Sequence, residues 1–550
     1  MNRTIVWFRR DLRIFDHAPL YRAAQRGEVV PVFIFDSALL HHPETGSARV
    51  AFMLECLRSL DQDLQERGGR LILRTGNPVE VLPQLLRETA AEGIYAYIDY
   101  ERIYGRVRDG RLNQMLGEEQ MKIRWFEPTA GTSSLLSYPQ YRNWWFAQMQ
   151  QPMSPTPERI RVPENLGSQP LPTLADLNWM EDGKPIPPAG TTGARQLLQD
   201  FLDHKTRNYY WQLSYPSAEA TTGLSPHIKF GAISVRECYQ MIQAYPTQDD
   251  TRIERSKQQA IARLRWGVGF AQRFRYLPQL ELRSLYRVFD QDGWEFDPEL
   301  YQAWKEGRTG FPIVDAAARC LKATGGLQGF NFRTRAIYAS FLGNLLGMDW
   351  RYGALHFMEH LIDGDCPIDH YQWAMQTGVT HCIDKTWTRI YNPGQMAVDR
   401  CDPEGLFIKR WLPELTEVAP KNLGNPPRIN NYPGPILDYK AARKLRVEQL
   451  QRQRSQFLGQ ENVLEFLARL PEDLTPFSRE GQDCDVRWAR ESTDELFPKP
   501  LDLAGLNETQ ARALRTWFVA HVDIKPPQQR RRRPQQQPQS NEFVQLCLPI

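Results

Sequence analysis

A short run of hydroxyl-bearing and small residues near residue 220 has the composition of an anion-binding turn. It consists of Thr221, Thr222, Gly223, Leu224 and Ser225 and leads into a helix-like segment. Backbone N–H groups and hydroxyls at the start of a helix suit phosphate groups. An ordinary helix cap made by serine or threonine has the same composition. By itself, the run therefore predicts either a diphosphate site or a simple cap.

The first 130 residues alternate short apolar runs with amphipathic helical patterns. The runs predict strands over residues 4–8, 31–35, 71–73, 94–98 and 123–126. The patterns between them predict helices such as 48–66 and 79–90. Strands that alternate with helices form a parallel, Rossmann-like sheet. No GxGxxG sequence follows the first strand, so the pattern does not indicate a dinucleotide site in this domain.

The rest of the chain divides by composition. Residues 131–195 are rich in proline, serine and glycine and predict a connector, whereas residues 196–455 have helical periodicity, as in 253–274 and 334–346. Residues 456–522 predict a helical extension, and residues 523–550 a basic, Gln/Pro-rich disordered tail. We therefore expect an α/β N-terminal domain (residues 1–130) joined to an all-α C-terminal domain (residues 196–455).

The composition is typical of a cytoplasmic globular protein. The chain has 550 residues, of which 41% are hydrophobic and 24% charged. No apolar run approaches the ~20 residues of a membrane span, and the N-terminus lacks the features of a signal peptide. Eight cysteines without a CxxC pair predict reduced thiols rather than disulfides or a metal site. With a net charge of only +3, a DNA-binding surface has to be a local patch.

Seven blocks between residues 304 and 415 are the most specific signal in the chain. In this order and spacing they resemble the helical FAD domain of the photolyase–cryptochrome family. The blocks are WKEGRTGFPIVD (304–315), RTR (333–335), SFL (340–342), DWR (349–351), LIDGD (361–365), RIYNP (389–393) and KRWLPEL (409–415). Residues 6–13, VWFRRDLR, resemble the family's first strand, and the resemblance covers about residues 3–450. It implies an α/β antenna domain, an all-α FAD-binding domain and light-driven electron transfer.

The resemblance also implies a set of FAD-binding residues. Arg335 and Asp363 would form an ion pair against the flavin ring, because an unpaired buried charge is costly. Asp365 would contact the ribose or the ring edge, and Gly364 would let the backbone approach the cofactor closely. The complete set is Tyr209, Thr221, Thr222, Gly223, Leu224, Ser225, Asn331, Arg335, Asp363, Gly364, Asp365 and Asp369.

Asp369 matches the family position that faces flavin N5. Many photolyases have asparagine there, and plant cryptochromes have aspartate. An apolar flavin pocket raises the pKa of a carboxyl, and the neutral carboxyl can then donate a proton. The resemblance therefore implies that Asp369 favours protonation of the flavin after photoreduction.

Family members reduce their flavin through a relay of aromatic side chains. Trp294 and Trp350 match the outer and middle members of this relay. A two-residue gap places Tyr371 at the inner position, where tryptophan is usual, and Trp373 is the alternative. Oxidation of a tyrosine must be coupled to loss of its phenolic proton. A tryptophan considered alone is as well explained by core packing.

The positions of the family's DNA contacts match only in part. Trp266, Arg333 and Trp373 match residues that stack on or clamp a flipped pyrimidine dimer. Arg263 stands where a glutamate usually hydrogen-bonds the dimer bases, and loss of such a carboxylate removes discrimination. The resemblance implies repair of pyrimidine dimers in DNA by a carbon–carbon lyase, a DNA photolyase. The alternative is a cryptochrome-type blue-light photoreceptor without repair activity.

Two further expectations concern a second chromophore and a protein partner. The region around Asp99 and Asp109 resembles the family's antenna site but lacks the usual folate-binding acidic residue. We therefore expect an antenna chromophore of another identity, or none. The chain ends in QLCLPI (545–550), which resembles the peptide that binds the bacterial replication sliding clamp, although such short matches are common by chance. We expect a monomer in solution.

Overall fold

The computed structural model describes residues 2–42, 44–99, 101–132, 138–247, 249–276, 278–281, 284, 294–379 and 390–459. The predicted helical extension lies outside these residues from position 460 onward. The predicted basic tail and the clamp-binding peptide at residues 545–550 lie outside them entirely.

The N-terminal domain is built on a five-stranded parallel sheet, which confirms the predicted α/β class. Its strands are β1 (Asn2–Phe8), β2 (Gly27–Phe35), β3 (Ile72–Thr75), β4 (Gly93–Tyr97) and β5 (Ile123–Phe126). They lie in the order β3-β2-β1-β4-β5, and every pair of neighbours is parallel. The strand order therefore reverses at β1, and the carboxyl end of β1 opens a crevice of the kind where α/β proteins bind ligands.

Helices flank this sheet and continue into the connector. The longest is Ser47–Gln65, close to the predicted 48–66, and Pro78–Thr89 matches the predicted 79–90. Asn77 caps the second of these helices, since its side chain accepts a hydrogen bond from the Val79 N–H. The others are Ala18–Ala24, Ser37–Leu40, Ile103–Glu118 and Tyr138–Met149, and the connector adds a 3₁₀ turn at Ala175–Leu177.

In the part of the C-terminal domain that the structure describes, all of the secondary-structure elements are helices or helical turns. Its α-helices are Gly190–Asp200, Thr206–Gln212, Ser225–Lys229, Val235–Ala244, Thr251–Tyr276, Pro298–Glu306, Pro312–Thr324, Phe332–Ser340, Trp350–His360, Cys366–Gln376, Gln395–Cys401, Leu406–Trp411 and Tyr439–Gly459. Short 3₁₀ turns lie at Pro216–Ala218, Pro278–Glu281, Pro413–Leu415 and Pro420–Asn422. The predicted helix 334–346 begins at Phe332 and continues beyond Ser340 as a π-helical turn, Phe341–Leu345. Among the described residues, no helix is both long and apolar enough to span a membrane.

Three of these helices face one another around a large apolar core. They are Phe332–Ser340, Trp350–His360 and Cys366–Gln376, and their inner faces bury Tyr338, Trp350 and Trp373. Asp349 caps the second helix by accepting from the Arg351 N–H at 3.0 Å. The segment between the second and third helices carries Asp363, Gly364 and Asp365, so the packing of these helices fixes the acidic turn.

Candidate functional site

A cavity of about 720 Å³ opens between the two domains and the helices of the C-terminal half. Its volume lies within the range of roughly 300–1,000 Å³ that cofactor and ligand clefts have. All of the residues that the sequence predicted as cofactor contacts line it. They are Tyr209, Thr221, Thr222, Gly223, Leu224, Ser225, Asn331, Arg335, Asp363, Gly364, Asp365 and Asp369.

Arg335 and Asp363 form an ion pair on the wall of this cavity. Nη2 of Arg335 lies 3.2 Å from Oδ1 and 3.1 Å from Oδ2 of Asp363. Its Nε donates to the Phe330 carbonyl at 3.0 Å, which fixes the plane of the guanidinium. A planar cation held in this way is suited to lie against a polar aromatic ring.

Asp365 is held by two cations from outside the acidic turn. Its Oδ2 lies 2.5 Å from Nη1 of Arg10 and 3.5 Å from Nζ of Lys229. Its Oδ1 is buried and has no hydrogen-bond partner among the described residues. An orphaned carboxylate oxygen on a cavity wall is suited to accept a hydrogen bond from a bound hydroxyl or N–H. Neither Arg10 nor Lys229 was predicted as a site residue from sequence, although Arg10 lies two residues after β1, at the crevice.

Gly364 also makes room for an arginine side chain of the α/β domain. A Cβ at this position would collide with the guanidinium of Arg49. That guanidinium donates to the carbonyl of Leu361 through Nε at 3.0 Å and to that of Glu44 through Nη1 at 3.1 Å. The missing side chain therefore admits an arginine of the α/β domain, which holds the acidic turn in place.

Asp369 is buried on the same wall of the cavity. Burial raises the pKa of Asp369 to about 8, although the neighbouring His370 opposes this rise. Its Oδ2 has no hydrogen-bond partner among the described residues. At neutral pH the carboxyl is therefore mostly protonated and available to a group in the cavity.

The run from Thr221 to Ser225 forms a turn that opens toward the cavity. Gly223 has a φ of +71°, a left-handed conformation that favours glycine. The Leu224 N–H donates to Oγ1 of Thr222 at 3.3 Å, while Thr221 and Ser225 are exposed. Asn331 also caps a helix, because its Oδ1 accepts from the Arg333 and Thr334 N–H groups.

Of the four predicted relay residues, only Trp373 lines the cavity. The other three pack in or against the apolar core. Trp350 is fully buried, and its Nε1 donates to Oγ of Ser284 at 2.9 Å. Tyr371 stacks on Phe270, which lines the cavity, with ring centroids 4.9 Å apart. Trp294 is half-buried, with the Arg446 guanidinium 4.7 Å from its ring centre.

Three of the four residues predicted to contact DNA line the cavity, and Arg333 does not. Trp266 and Arg263 line the cavity, and the Arg263 guanidinium lies 4.5 Å from the Phe332 ring centre. Arg333 is outside the cavity wall and donates to the Tyr391 hydroxyl at 3.1 Å. Trp373 is only 2% exposed and packs edge-on against Phe357. Its burial suits an electron-transfer role better than stacking on an extruded base.

A second, much smaller cavity lies at the carboxyl end of the sheet. Its volume is about 100 Å³, below the roughly 300 Å³ of usual ligand pockets. Charged side chains fill this region, among them the buried pairs Arg102–Glu44 at 2.6 Å and Arg108–Asp36 at 3.0 Å. The expectation of an antenna chromophore other than folate, or of none, stays a prediction.

The large cavity fits the donor and acceptor groups of FAD. A hydroxyl- and N–H-bearing turn, a guanidinium held flat by Asp363 and the orphaned buried oxygens of Asp365 and Asp369 face one volume. These are groups that can bind a diphosphate, a ribose and a ring edge.

Comparisons with known proteins agree with this site. Residues 260–452 match the model of the FAD binding domain of DNA photolyase, and residues 4–132 match the DNA photolyase model. A deoxyribodipyrimidine photo-lyase of Synechococcus sp. is 34% identical over 470 residues, which cover 80% of this chain and 94% of that protein. Cryptochrome-2 of Arabidopsis thaliana is 28% identical over 501 residues, which cover 82% of this chain and 79% of that protein.

Two solved structures have the same fold over most of the chain. A bacterial class III photolyase from Agrobacterium tumefaciens superposes with a TM-score of 0.72 at 27% identity, covering 83% of this chain and 98% of that one. An archaeal photolyase from Sulfolobus tokodaii with two FAD molecules has a TM-score of 0.69 at 28% identity, covering 82% of this chain and 100% of that one. The chain therefore belongs to the photolyase–cryptochrome family and carries its FAD-binding domain.

Proposed function

We propose that this protein is a DNA photolyase that repairs pyrimidine dimers in blue light. The observation that carries the proposal is the single cavity that joins the predicted FAD contacts to Arg263 and Trp266. When bound, reduced FAD supplies the electron that splits the dimer and takes it back after the split.

The chain's own residues would position the two reactants and control protons. Arg335, held flat by Asp363, would orient the flavin ring, and the Thr221–Ser225 turn would bind the diphosphate. Trp266 would stack on an extruded base, because an aromatic face binds bases of any sequence. Arg333 and Arg263 would attract the phosphates on either side of the lesion.

The test is a repair assay with the full, FAD-loaded and reduced chain. An oligothymidylate that contains cyclobutane dimers is illuminated with blue light, and the remaining dimers are counted by chromatography. We expect loss of dimers in the light and none in the dark. Arg333→Ala should lower the rate at limiting DNA, whereas Arg26→Ala, on the α/β domain and paired with Glu92, should not. Dimers that persist in the light would contradict the proposal.

A blue-light photoreceptor without repair activity is the second candidate. It is favoured by Arg263, which places a cation where the family usually reads the dimer with a carboxylate, and by the protonated Asp369. An FAD-loaded chain that leaves every dimer intact in blue light, and in which light changes the protonation of the flavin, would support this candidate instead.

A further inference from the structure

The helix Trp350–His360 carries two histidines and a glutamate on one face near its carboxyl end. His356, Glu359 and His360 are spaced i, i+3 and i+4, which brings their side chains together. One donor atom from each residue lies within 4.8 Å of the other two. None of the three lines the flavin cavity, so the cluster is separate from the site described above.

The hydrogen bonds around His356 indicate which of its ring nitrogens is left without a partner. The Tyr338 hydroxyl donates to the Trp304 carbonyl at 3.2 Å, so its oxygen can accept a bond. Nε2 of His356 lies 3.3 Å from that oxygen and is the ring nitrogen placed to donate to it. With Nε2 as the donor, the lone pair of a neutral imidazole lies on Nδ1. Metal-binding histidines are commonly fixed by a hydrogen bond of this kind from the other ring nitrogen.

That lone pair has no partner within the described part of the chain. His356 is 1% exposed, and its Nδ1 is buried without a hydrogen bond. A buried nitrogen lone pair that accepts from no group is unfavourable unless a ligand binds it.

The other two members are suited to bind the same ligand. The His360 ring lies edge-on to that of His356, with ring centroids 4.7 Å apart, and His360 and Glu359 are both half-buried. Two imidazoles and a carboxylate are a ligand set that zinc prefers.

A second cluster with donors at similar distances is less suitable. Glu44, Cys366 and His370 also lie within 4.8 Å of one another. There, however, Oε2 of Glu44 is already paired with Arg102 at 2.6 Å, and the pKa of His370 is raised well above its ordinary value. Burial raises the pKa of the Cys366 thiol to about 11. A metal ion at that cluster would have to displace a proton from both the imidazolium and the thiol.

We propose that His356, Glu359 and His360 form a binding site for a divalent cation of the zinc class. The three residues leave a fourth tetrahedral position open to water, as three-ligand zinc sites do. The ion would lie behind Trp304, whose ring centre is 5.1 Å from that of His356 and 6.2 Å from that of Trp373 on the cavity wall. Two nitrogen donors favour Zn²⁺ over Mg²⁺ and Ca²⁺, which take oxygen ligands.

Zinc and cobalt titrations of the FAD-loaded full chain test this proposal. After treatment with a chelator, we expect one equivalent of Zn²⁺ to bind, measured by calorimetry. We expect Co²⁺ to give the visible absorption of a tetrahedral site without a thiolate charge-transfer band. Mg²⁺ should not compete.

Variants then locate the ion. His360→Ala and Glu359→Gln should each weaken Zn²⁺ binding by about tenfold or more. His204→Ala, an exposed histidine on another helix, should bind as the unmodified chain does. FAD content and unfolding temperature show that each variant is folded. The proposal is overturned if the unmodified chain binds no Zn²⁺, if His360→Ala and Glu359→Gln bind it normally, or if Cys366→Ser alone abolishes binding.

Discussion

Nδ1 of His370 lies 3.6 Å from Oδ2 of Asp369, the buried carboxyl on the wall of the flavin cavity. On its other side, Nε2 of His370 lies 3.3 Å from Oε1 of Glu44, a residue of the α/β domain. Burial lowers the pKa of His370, but Cys366 and Glu44 raise it by more, so the ring is cationic at neutral pH. Two opposing effects therefore set the pKa of Asp369. Its burial raises this pKa, and the charge of the neighbouring His370 lowers it.

Replacing Asp369 with asparagine should abolish proton supply to the photoreduced flavin. Asparagine has the same shape but no acidic proton. We expect the visible spectrum of the illuminated Asp369→Asn protein to be that of an unprotonated flavin at pH 7, with FAD content unchanged. Asp369→Glu, which restores a carboxyl, is the matched control. The same protonated spectrum in all three proteins would rule out Asp369 as the donor.

The same proton supply should depend on pH with a midpoint near the pKa of Asp369, which is about 8. Below this pH the carboxyl is protonated and can donate, and above it the carboxylate cannot. His370→Gln removes a cation that lowers this pKa, so the midpoint should move upward. Spectra of the photoreduced protein between pH 6 and about 10 measure both midpoints. A downward shift would contradict this electrostatic account.

Burial of Asp369 should also make folding stability depend on pH. Its pKa in the folded protein is above the ordinary value of an unfolded chain, so the folded state binds this proton more tightly. The contribution of this group to stability is therefore greatest at low pH and falls as pH rises from about 4 to about 8. The difference in unfolding free energy between the unmodified chain and Asp369→Asn, measured by denaturant titration, should change in this direction. No change across that range would show that Asp369 is not buried as described.

Breaking the Arg335–Asp363 pair should weaken FAD binding. Arg335→Ala removes a charged hydrogen-bonding group, which is worth roughly 1.5–3 kcal/mol, or about 10- to 100-fold in affinity. Asp363→Ala should have a similar effect, and the double variant should lose less than the sum because the two side chains interact. Reconstitution of the apoprotein with FAD, followed by flavin fluorescence, measures these affinities. Strictly additive losses would mean that the pair does not act as a unit.

Removing Trp350 should slow photoreduction of the bound FAD. Trp350→Phe keeps an aromatic ring in the core but is far harder to oxidise than tryptophan. The control is Trp144→Phe, because Trp144 is 40% exposed on another helix. The rate is followed as bleaching of oxidised FAD under blue light with a reductant present. If Trp350→Phe is unaffected and Trp304→Phe is slow, electrons arrive instead through the contact of Trp304 with Trp373.

Removing the charge of Arg263 should change the salt dependence of DNA binding. Arg263→Gln is expected to weaken binding of dimer-containing oligonucleotide at low salt. It should also reduce the slope of log affinity against log salt concentration by about 0.7–0.9, the value for one phosphate contact. Fluorescence anisotropy at several salt concentrations measures the slope, with Arg26→Ala as control. An unchanged slope would show that Arg263 contacts no phosphate.

Much of the fold could be predicted from sequence because the periodicity is strong. The strand over residues 123–126 was predicted at its observed bounds, and the helix Thr251–Tyr276 was predicted to within two residues at each end. The π-helical turn after Ser340 was not predicted. The apolar periodicity of residues 334–346 fits a continuous α-helix as well as an α-helix that ends in a π-helical turn. Only the packing of these residues in the core distinguishes the two structures.

The sequence by itself determined the fold class and the set of residues that line the large cavity, Asp369 among them, because the motifs that carry the family resemblance depend on residue type and on spacing along the chain. Only the tertiary structure decided which groups surround those residues. Arg10 and Arg49 reach the acidic turn from more than 300 positions away, and His370 meets Glu44 across the domain interface. The sequence also predicted no metal site. A histidine and glutamate spacing on a helix is common. The contact of Nε2 of His356 with the Tyr338 hydroxyl, between two packed helices, leaves the buried Nδ1 of His356 without a partner among the described residues.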